Sequence, residues 1–351
     1  MVQAFGPMTF GFTALSLAVS AAGVGVSIRI AHRVGVMDVP NERSSHSLPT
    51  PRMGGVPMVA ATAVAFGGWT LLTVNGEVLG KELSCVFLFA LSMFVLGFVD
   101  DLMDLSPLFR FLVQIVSVSL ALRALSPIFS GIPLGMRVLP GTFWIPVGAV
   151  WSIWMLNLYN FMDGIDGLAG GEAALASSFF FLIFAYYGQP GWAAANLVVA
   201  AASMGFLVFN WPPAKVFMGD GGSAFLGAFF GMQSVVAALS TPVPFLVLVL
   251  PFANFILDTT FTLFRRLIRR EKWYQAHRSH LYQRMTGLGM THREVTSIEL
   301  LVVVASCAAA AACIPAGPLV RIALMVSVTV GIACGGLWVW GKERAMEARQ
   351  E

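Results

Sequence analysis

Apolar runs of about 20 residues, the length that a helix needs to cross a lipid bilayer, recur along the whole chain. Only 11% of the 351 residues are charged, whereas soluble domains carry about 25%. Because backbone groups in hydrocarbon must satisfy their own hydrogen bonds, these runs are predicted to be helices. The sequence therefore predicts an all-α integral membrane protein.

We expect about eleven membrane-spanning helices, or ten on a stricter count, in a single polytopic domain over residues 1–351. The first run exceeds a signal-peptide core of about 7–15 residues, so we expect it to be a retained span. The four cysteines show no metal-ligand spacing and are expected to be packing residues. The spans are placed near 8–30, 56–74, 83–99, 108–127, 142–159, 168–187, 191–209, 222–240, 243–263, 298–315 and 319–340.

The distribution of basic residues predicts the orientation of these spans. With eleven spans and the N-terminus outside, one face receives all the lysines and arginines except Lys81, Arg123, Arg137 and Arg321. Cytoplasmic loops carry the excess of such residues. We therefore expect the N-terminus on the outer face and the C-terminus on the cytoplasmic face. No cluster of basic and aromatic residues suggests nucleic-acid binding.

Acidic residues fall in three loops on the predicted cytoplasmic face. We expect these loops to bring their acids to one side of the membrane. The stretch FVDDLMDLSP (98–107) ends a span with adjacent carboxylates, which suit Mg²⁺ because this ion prefers oxygen ligands. A solvated helix end is the alternative interpretation of that stretch alone. The acids of the three loops are Asp100, Asp101 and Asp104, then Asp163 and Asp166, then Asp220.

Glycines accompany the acids in the second and third loops. In NFMDGIDGLAGG (160–171) two Asp-Gly pairs permit a tight backbone and close approach to a ligand, although a polar turn is the simpler alternative. In NWPPAKVFMGDGGSAFLG (210–227), glycines surround Asp220 at a predicted helix start, where backbone N–H groups can hold phosphate. Phe217 could stack on a base there, or simply pack.

Two basic segments lie on the same predicted face. The segment PNERSSHSLPTPRMGG (40–55) contains Arg43, His46 and Arg52, which can bind an anion or merely signal topology. A long basic loop over 264–297 can attract anionic lipid or a diphosphate. It contains His277 and His280, a spacing that is weak evidence for a metal. Asp258 precedes it within a predicted span, and an acid there is a functional candidate.

Together these motifs resemble the polyprenyl-phosphate N-acetylhexosamine-1-phosphate transferases, the MraY/WecA-like glycosyltransferase family 4. The resemblance covers residues 40 to about 293 and combines PNxRSxH…TPRxGG, the DD pair, NxxNFxDGxDGLA, FMGDxGSxFLG and the histidine-bearing loop. It implies transfer of HexNAc-1-phosphate from a UDP-HexNAc to undecaprenyl phosphate, which yields UMP and a lipid-diphosphate sugar. It also implies Mg²⁺, with Mn²⁺ as the alternative, and a homodimer. It further implies a protein of the bacterial inner membrane, with a periplasmic N-terminus and an active-site cleft formed by its cytoplasmic loops.

The resemblance also implies roles for individual residues. Asp220 and Asp100 would serve the metal, and Asp166 and Phe217 would read the uracil. The catalytic candidates are Asp100, Asp101, Asp163, His277 and His280. The candidates for substrate binding are Asn160, Asp166, Phe217, Arg43, His46, Arg52 and Arg278.

The histidine-bearing loop departs from the pattern of many relatives, because Tyr282 and Gln283 stand where histidine is often found. This pattern is closest to the WbpL-like branch, which initiates O-antigen or similar surface glycans. We therefore expect the sugar to be GlcNAc or a 6-deoxy-HexNAc such as FucNAc or QuiNAc.

Two other classes of protein compete with this interpretation. A secondary transporter would also combine many spans with a few acids, but transporters place their key groups near the bilayer midplane on broken helices. A membrane scaffold would leave the acidic, glycine-rich loops unexplained. Release of UMP from a nucleotide sugar separates the transferase from both.

Overall fold

The computed structural model describes residues 6–40, 48–73, 80–126, 131–133, 138–271 and 278–349. Helices form nearly all of this part of the chain, which confirms the predicted all-α class. The first eight helices are α1 Pro7–Val34, α2 Gly55–Thr73, α3 Lys81–Met103, α4 Pro107–Leu125, α5 Gly141–Met162, α6 Leu168–Tyr186, α7 Pro190–Asn210 and α8 Gly219–Ser240. The others are α9 Phe245–Leu248, α10 Ala253–Ile268, α11 Leu281–Gly287, α12 His292–Cys313 and α13 Pro318–Glu347.

Two short antiparallel hairpins complete the described structure. Strands β1 (Met37–Asp38) and β2 (Thr50–Pro51) pair after α1, and β3 (Gly131–Pro133) and β4 (Val138–Pro140) pair before α5. The first hairpin brings Thr50 and Pro51, just before Arg52, back beside the end of α1.

Nine helices of the described residues are long and apolar enough to cross a membrane, namely α1 to α4, α6 to α8, α12 and α13. The predicted span at 142–159 coincides with α5, which is 22 residues long but is not among these nine. The prediction of one continuous span at 243–263 is wrong. Pro244 precedes α9, and Pro251 lies in a 3₁₀ turn, Leu250–Phe252, before α10 begins. Proline lacks the N–H that a continuous helix requires.

The core of the bundle is α8, which neighbouring helices surround almost completely. Its phenylalanines stack on one another and on those of adjacent helices, as Phe230 does with Phe180 and Tyr159. Polar groups inside the bundle pair across helices: Asn196 of α7 and Gln233 of α8 exchange two hydrogen bonds of 2.8 and 3.1 Å. In contrast, α13 is largely exposed, as expected of a helix that faces lipid.

Two helices extend beyond their predicted ends and include acids that were expected in loops. We expected Asp100 and Asp101 in a loop, but α3 continues to Met103, so both lie in its last turn. Asp220 likewise lies in the first turn of α8. The expected loop over 264–297 is also interrupted, because its described part includes the end of α10, all of α11 and the start of α12.

Candidate active site

Glycines bring the ends of α2, α3 and α8 into direct backbone contact. A Cβ atom on Gly97 would lie 2.4 Å from the carbonyl oxygen of Asp220, and one on Gly55 would lie 2.6 Å from that of Met218. Gly55 N–H in turn donates to the Met218 carbonyl at 2.9 Å. The GG and GDGG sequences thus allow the three helix ends to meet, and this contact assembles the acidic cluster.

Arg52 lies between two of the predicted acids. Its Nη2 atom is 2.9 Å from Asp101 Oδ1 and 2.8 Å from Asp220 Oδ1. Asp101 also accepts hydrogen bonds from the backbone N–H groups of Asp220, at 3.1 Å, and Gly221, at 3.2 Å. Asp101 therefore caps the start of α8 from a neighbouring helix, where the helix dipole favours a negative charge.

Asp100 forms a second ion pair on the other side of Asp220. Its Oδ2 bonds to Nη1 of Arg110 on α4, and its Oδ1 accepts from the Leu105 N–H at 2.8 Å. The same Arg110 nitrogen is 3.8 Å from Asp220 Oδ2. Asp220 is therefore flanked by two guanidinium groups, whereas both oxygens of Asp100 already have partners.

Asp163 and Asn160 lie at the end of α5, opposite this cluster. Asn160 Nδ2 donates to Ser223 Oγ of α8 at 3.0 Å. Burial raises the pKa of Asp163 to about 7, and the negative charges of Asp220 and Asp101 add to that effect although Arg52 opposes it. The predicted acids Asp100, Asp101, Asp163 and Asp220 thus form one electrostatic cluster.

Asp166 is buried beside the loop that precedes α8. Its Oδ2 accepts from the Ala214 N–H at 2.9 Å, and its Oδ1 is 3.0 Å from Nδ1 of His292. Phe217 belongs to the same loop, and its N–H donates to the Pro51 carbonyl at 2.8 Å. The loop before α8 therefore contacts Asp166 through Ala214 and also carries Phe217, and both Asp166 oxygens already contact protein groups.

The predicted basic residues are only partly described. His280 is buried at the start of α11, whereas Arg278 is exposed. Arg43, His46 and His277 lie outside the described residues. The predicted roles of these three residues therefore stay predictions.

A cleft of about 740 Å³ opens beside the acidic cluster, between α3, α4, α5 and α10. Its walls are mostly apolar, and its polar side chains form one end. The polar residues are Asp100, Arg110, Gln114, Asn157, Asn160, Asp220, Thr259, Thr262 and His280, and the wall includes Met93, Leu96, Leu108, Phe111, Val150, Ile153 and Trp154. A long apolar cleft that ends in charged groups fits a molecule with a lipid tail and an anionic head.

Known proteins resemble this chain in sequence. The sequence model of glycosyl transferase family 4 matches residues 83–238, which run from α3 to α8. A probable undecaprenyl-phosphate N-acetylglucosaminyl 1-phosphate transferase of Bacillus subtilis is 32% identical over 276 residues, 76% of this chain and 74% of the relative. The chain belongs to glycosyl transferase family 4. The family predicted from the motifs is therefore confirmed, and with it a membrane-embedded phosphosugar transferase.

Other relatives of this family 4 protein differ in the sugar that their names specify. An undecaprenyl-phosphate alpha-N-acetylglucosaminyl 1-phosphate transferase of Thermotoga maritima is 27% identical over 281 residues, 77% of this chain and 81% of the relative. A phospho-N-acetylmuramoyl-pentapeptide-transferase of Geobacillus thermodenitrificans is 30% identical over 226 residues, 60% of this chain and 66% of the relative.

Arg110 is the main site residue that the sequence argument missed. In the sequence it is only one of the basic residues that predict the orientation of the spans. In the structure it bonds to Asp100 and lines the cleft. Its position one turn into the helix after the DD pair was the available signal. Gln114, one turn further along α4, pairs with Asn157 at 2.9 Å. His292 was also missed, because no motif marks a histidine in the first turn of α12.

The acidic cluster fits a cation that takes some of its ligands from elsewhere. Among the described residues, no three acidic, histidine or cysteine side chains stand close enough to hold a metal by themselves. A guanidinium nitrogen nevertheless lies within 3 Å of both Asp101 and Asp220, so positive charge is accommodated between them. Mg²⁺ commonly binds one or two carboxylates and completes its shell with phosphate oxygens and water.

Proposed function

We propose that this family 4 protein transfers a HexNAc-1-phosphate from a UDP-HexNAc to undecaprenyl phosphate, which yields undecaprenyl-diphosphate-sugar and UMP. The product would initiate O-antigen or another cell-surface glycan. One observation carries the proposal: an apolar cleft ends at a cluster of four aspartates and two arginines. The relatives named for transfer to undecaprenyl phosphate support the choice of acceptor.

The cleft suits the acceptor lipid because its two parts match the two parts of that molecule. The apolar wall, with Phe111 and Trp154, can cover isoprenoid units, and each buried CH₂ contributes about 0.8 kcal/mol. Arg110 at the polar end can pair with the phosphate, since guanidinium groups bind phosphate oxygens through two N–H groups. The second pKa of a phosphate monoester is near 6, so the acceptor is largely ionised at neutral pH.

The reaction brings the acceptor phosphate and the donor diphosphate into a site that already holds four carboxylates. Mg²⁺, or Mn²⁺ in its place, would offset this negative charge when bound. Asp220 is the best-placed ligand, because its side chain is partly exposed at the polar end of the cleft. Asp163 faces it across the cluster. Asp100, with both oxygens engaged, suits the role of holding Arg110 toward the acceptor phosphate.

Three residues of the chain would then have separate roles in the transfer. Arg110 would orient the attacking phosphate, and Arg52 would keep Asp220 in place. Asp163, with its pKa near neutrality, can accept a proton from an acceptor phosphate that arrives protonated. Stabilisation of negative charge by fixed groups is commonly the largest contribution to such a transfer.

The nucleotide would bind beside the cleft, where the loop that carries Phe217 contacts Asp166 through Ala214. Asp166 would accept from the uracil N–H, and Phe217 would stack on the ring. The sugar would be GlcNAc, as the names of several relatives suggest, or a 6-deoxy-HexNAc. We further propose a homodimer in the bacterial inner membrane.

The variants Asp163→Asn and Asp166→Asn test this division between chemistry and nucleotide binding. Both should greatly reduce UMP release in protein that remains folded. Asp163→Asn should act mainly on kcat and Asp166→Asn mainly on the KM for the donor. Asp104→Asn, which changes an exposed acid near the same cluster, is the matched control and should behave as wild type. Wild-type turnover in both test variants would refute these assignments.

A further inference from the structure

Asp258 of α10 is a buried acid that the proposed chemistry does not use. Only 6% of its surface is exposed. Its Oδ1 accepts from the Leu281 N–H at 2.8 Å and from Thr262 Oγ1 at 3.1 Å, and its Oδ2 accepts a longer contact from the Tyr282 N–H at 3.4 Å. The carboxylate thus satisfies N–H groups of the first turn of α11, which have no partner within the helix.

His280, the residue immediately before α11, contacts the same carboxylate. Its Nδ1 is 3.4 Å from Asp258 Oδ1, and its side chain lines the cleft. Because α11 is only seven residues long, its position depends on anchors at its ends rather than on its own stability. Asp258 therefore fixes the backbone turn that follows His280 and contacts its ring.

A second anchor ties the same turn to the acidic cluster. The hydroxyl of Tyr282 donates to the Phe161 carbonyl at 2.9 Å, two residues before Asp163. A Cβ atom at position 164 would lie 2.0 Å from that hydroxyl, so the glycine of the first Asp-Gly pair is needed for this contact. The start of α11 is held from two sides, by Asp258 and by the end of α5.

We infer that Asp258 is a positioning residue that holds His280 at the wall of the cleft by capping α11. This inference rests on the proposed function, because it assumes that His280 acts on the substrates bound in the cleft. It explains why a buried ionisable residue stands in α10, since burying a carboxylate is costly unless the group is hydrogen-bonded.

Two variants separate capping from charge. Asparagine caps helices about as well as aspartate, so Asp258→Asn keeps an acceptor for Leu281 but loses the charge. Asp258→Ala loses both. Displacing a catalytic group by about 1 Å can cost about 100-fold in rate, so we expect a loss of that order in kcat for Asp258→Ala and a much smaller loss for Asp258→Asn.

The double variant Asp258→Ala/His280→Ala decides whether the effect passes through His280. If Asp258 acts by positioning that histidine, the double variant should be about as active as His280→Ala alone, because coupled residues do not add. Additive losses would overturn the inference. Glu299→Gln is the matched control, since it removes a buried acid that contacts α10 through Asn254 and should leave activity unchanged.

Hydrogen exchange provides a readout that does not need turnover. Amides in the peptide 279–287 should exchange faster in Asp258→Ala than in wild type, and at nearly the wild-type rate in Asp258→Asn. Unchanged exchange in Asp258→Ala would refute the capping itself. If the wild type released no UMP from any donor, the proposed function would fail while this exchange measurement still tested the cap.

Discussion

The contacts of Asp101 predict that it stabilises the fold at the junction of α3 and α8. It accepts two N–H groups of the first turn of α8 and pairs with Arg52. Asp101→Asn keeps a side-chain oxygen for the helix start but loses the ion pair. Asp101→Ala loses both contacts, so the difference between the two variants isolates the cap.

The expected magnitudes follow from these contacts. Loss of a helix cap costs about 1 kcal/mol, with a range of about 0.5–2 kcal/mol. The ion pair contributes less, about 0–1 kcal/mol, because the Arg52 side chain is 35% exposed to solvent. We therefore expect Asp101→Ala to unfold with a free energy about 1 kcal/mol lower than Asp101→Asn, which itself stays close to wild type.

The measurement is denaturant-induced unfolding in detergent micelles, followed by tryptophan fluorescence. Asp104→Asn, three residues further along, is the control, because Asp104 is an exposed residue with φ of 51°, a conformation that asparagine also tolerates. Equal stabilities for Asp101→Asn and Asp101→Ala would show that the cap contributes nothing, and the reasoning would be refuted.

Three further predictions concern charge in and around the cleft. Because the pKa of Asp163 rises from 3.8 to about 7 on folding, the folded state keeps a proton that the unfolded state releases. Wild type should therefore lose stability relative to Asp163→Asn between about pH 4 and 7. Melting temperatures of the two proteins that change in parallel over this pH range would contradict the burial of Asp163. Arg110→Gln should raise the KM for the acceptor lipid about 10-fold or more, as expected for a lost hydrogen bond between charged groups, and change the KM for the UDP-sugar less. Kinetics with each substrate varied in turn would refute the pairing of Arg110 with the acceptor phosphate if both KM values rose equally. Glu172 is fully buried, and its carboxyl oxygens have no hydrogen-bond partner among the described residues. Glu172→Met should therefore raise the melting temperature and leave UMP release unchanged. A lower melting temperature would show that the carboxyl has a stabilising partner.

The membrane class and the acidic cluster could be predicted because they depend on local sequence. Runs of apolar residues predict helices directly, and the Asp-Gly and Asp-Asp motifs mark chain segments that meet in the structure. The positions of Asp100, Asp101 and Asp220 within helix ends could not be predicted so closely, since Gly97 and Gly55 meet α8 through contacts between segments far apart in the sequence.

Contacts between distant segments explain what the sequence argument missed. Arg110 pairs with an acid ten residues away, and His292 contacts Asp166 from a helix that begins well over 100 residues later. Neither residue belongs to a motif of its own. The interruption of the span at 243–263 was readable in principle, because Pro244 and Pro251 are both present in that run.

The most direct test of the central claim is UMP release by the purified protein with undecaprenyl phosphate and Mg²⁺. The donors would be UDP-GlcNAc, UDP-GalNAc, UDP-FucNAc and UDP-QuiNAc, each with and without EDTA. We expect UMP from one or two of these donors, dependent on both the lipid and the metal. Folded protein that releases no UMP from any donor and binds neither UDP nor UMP would contradict the proposed reaction.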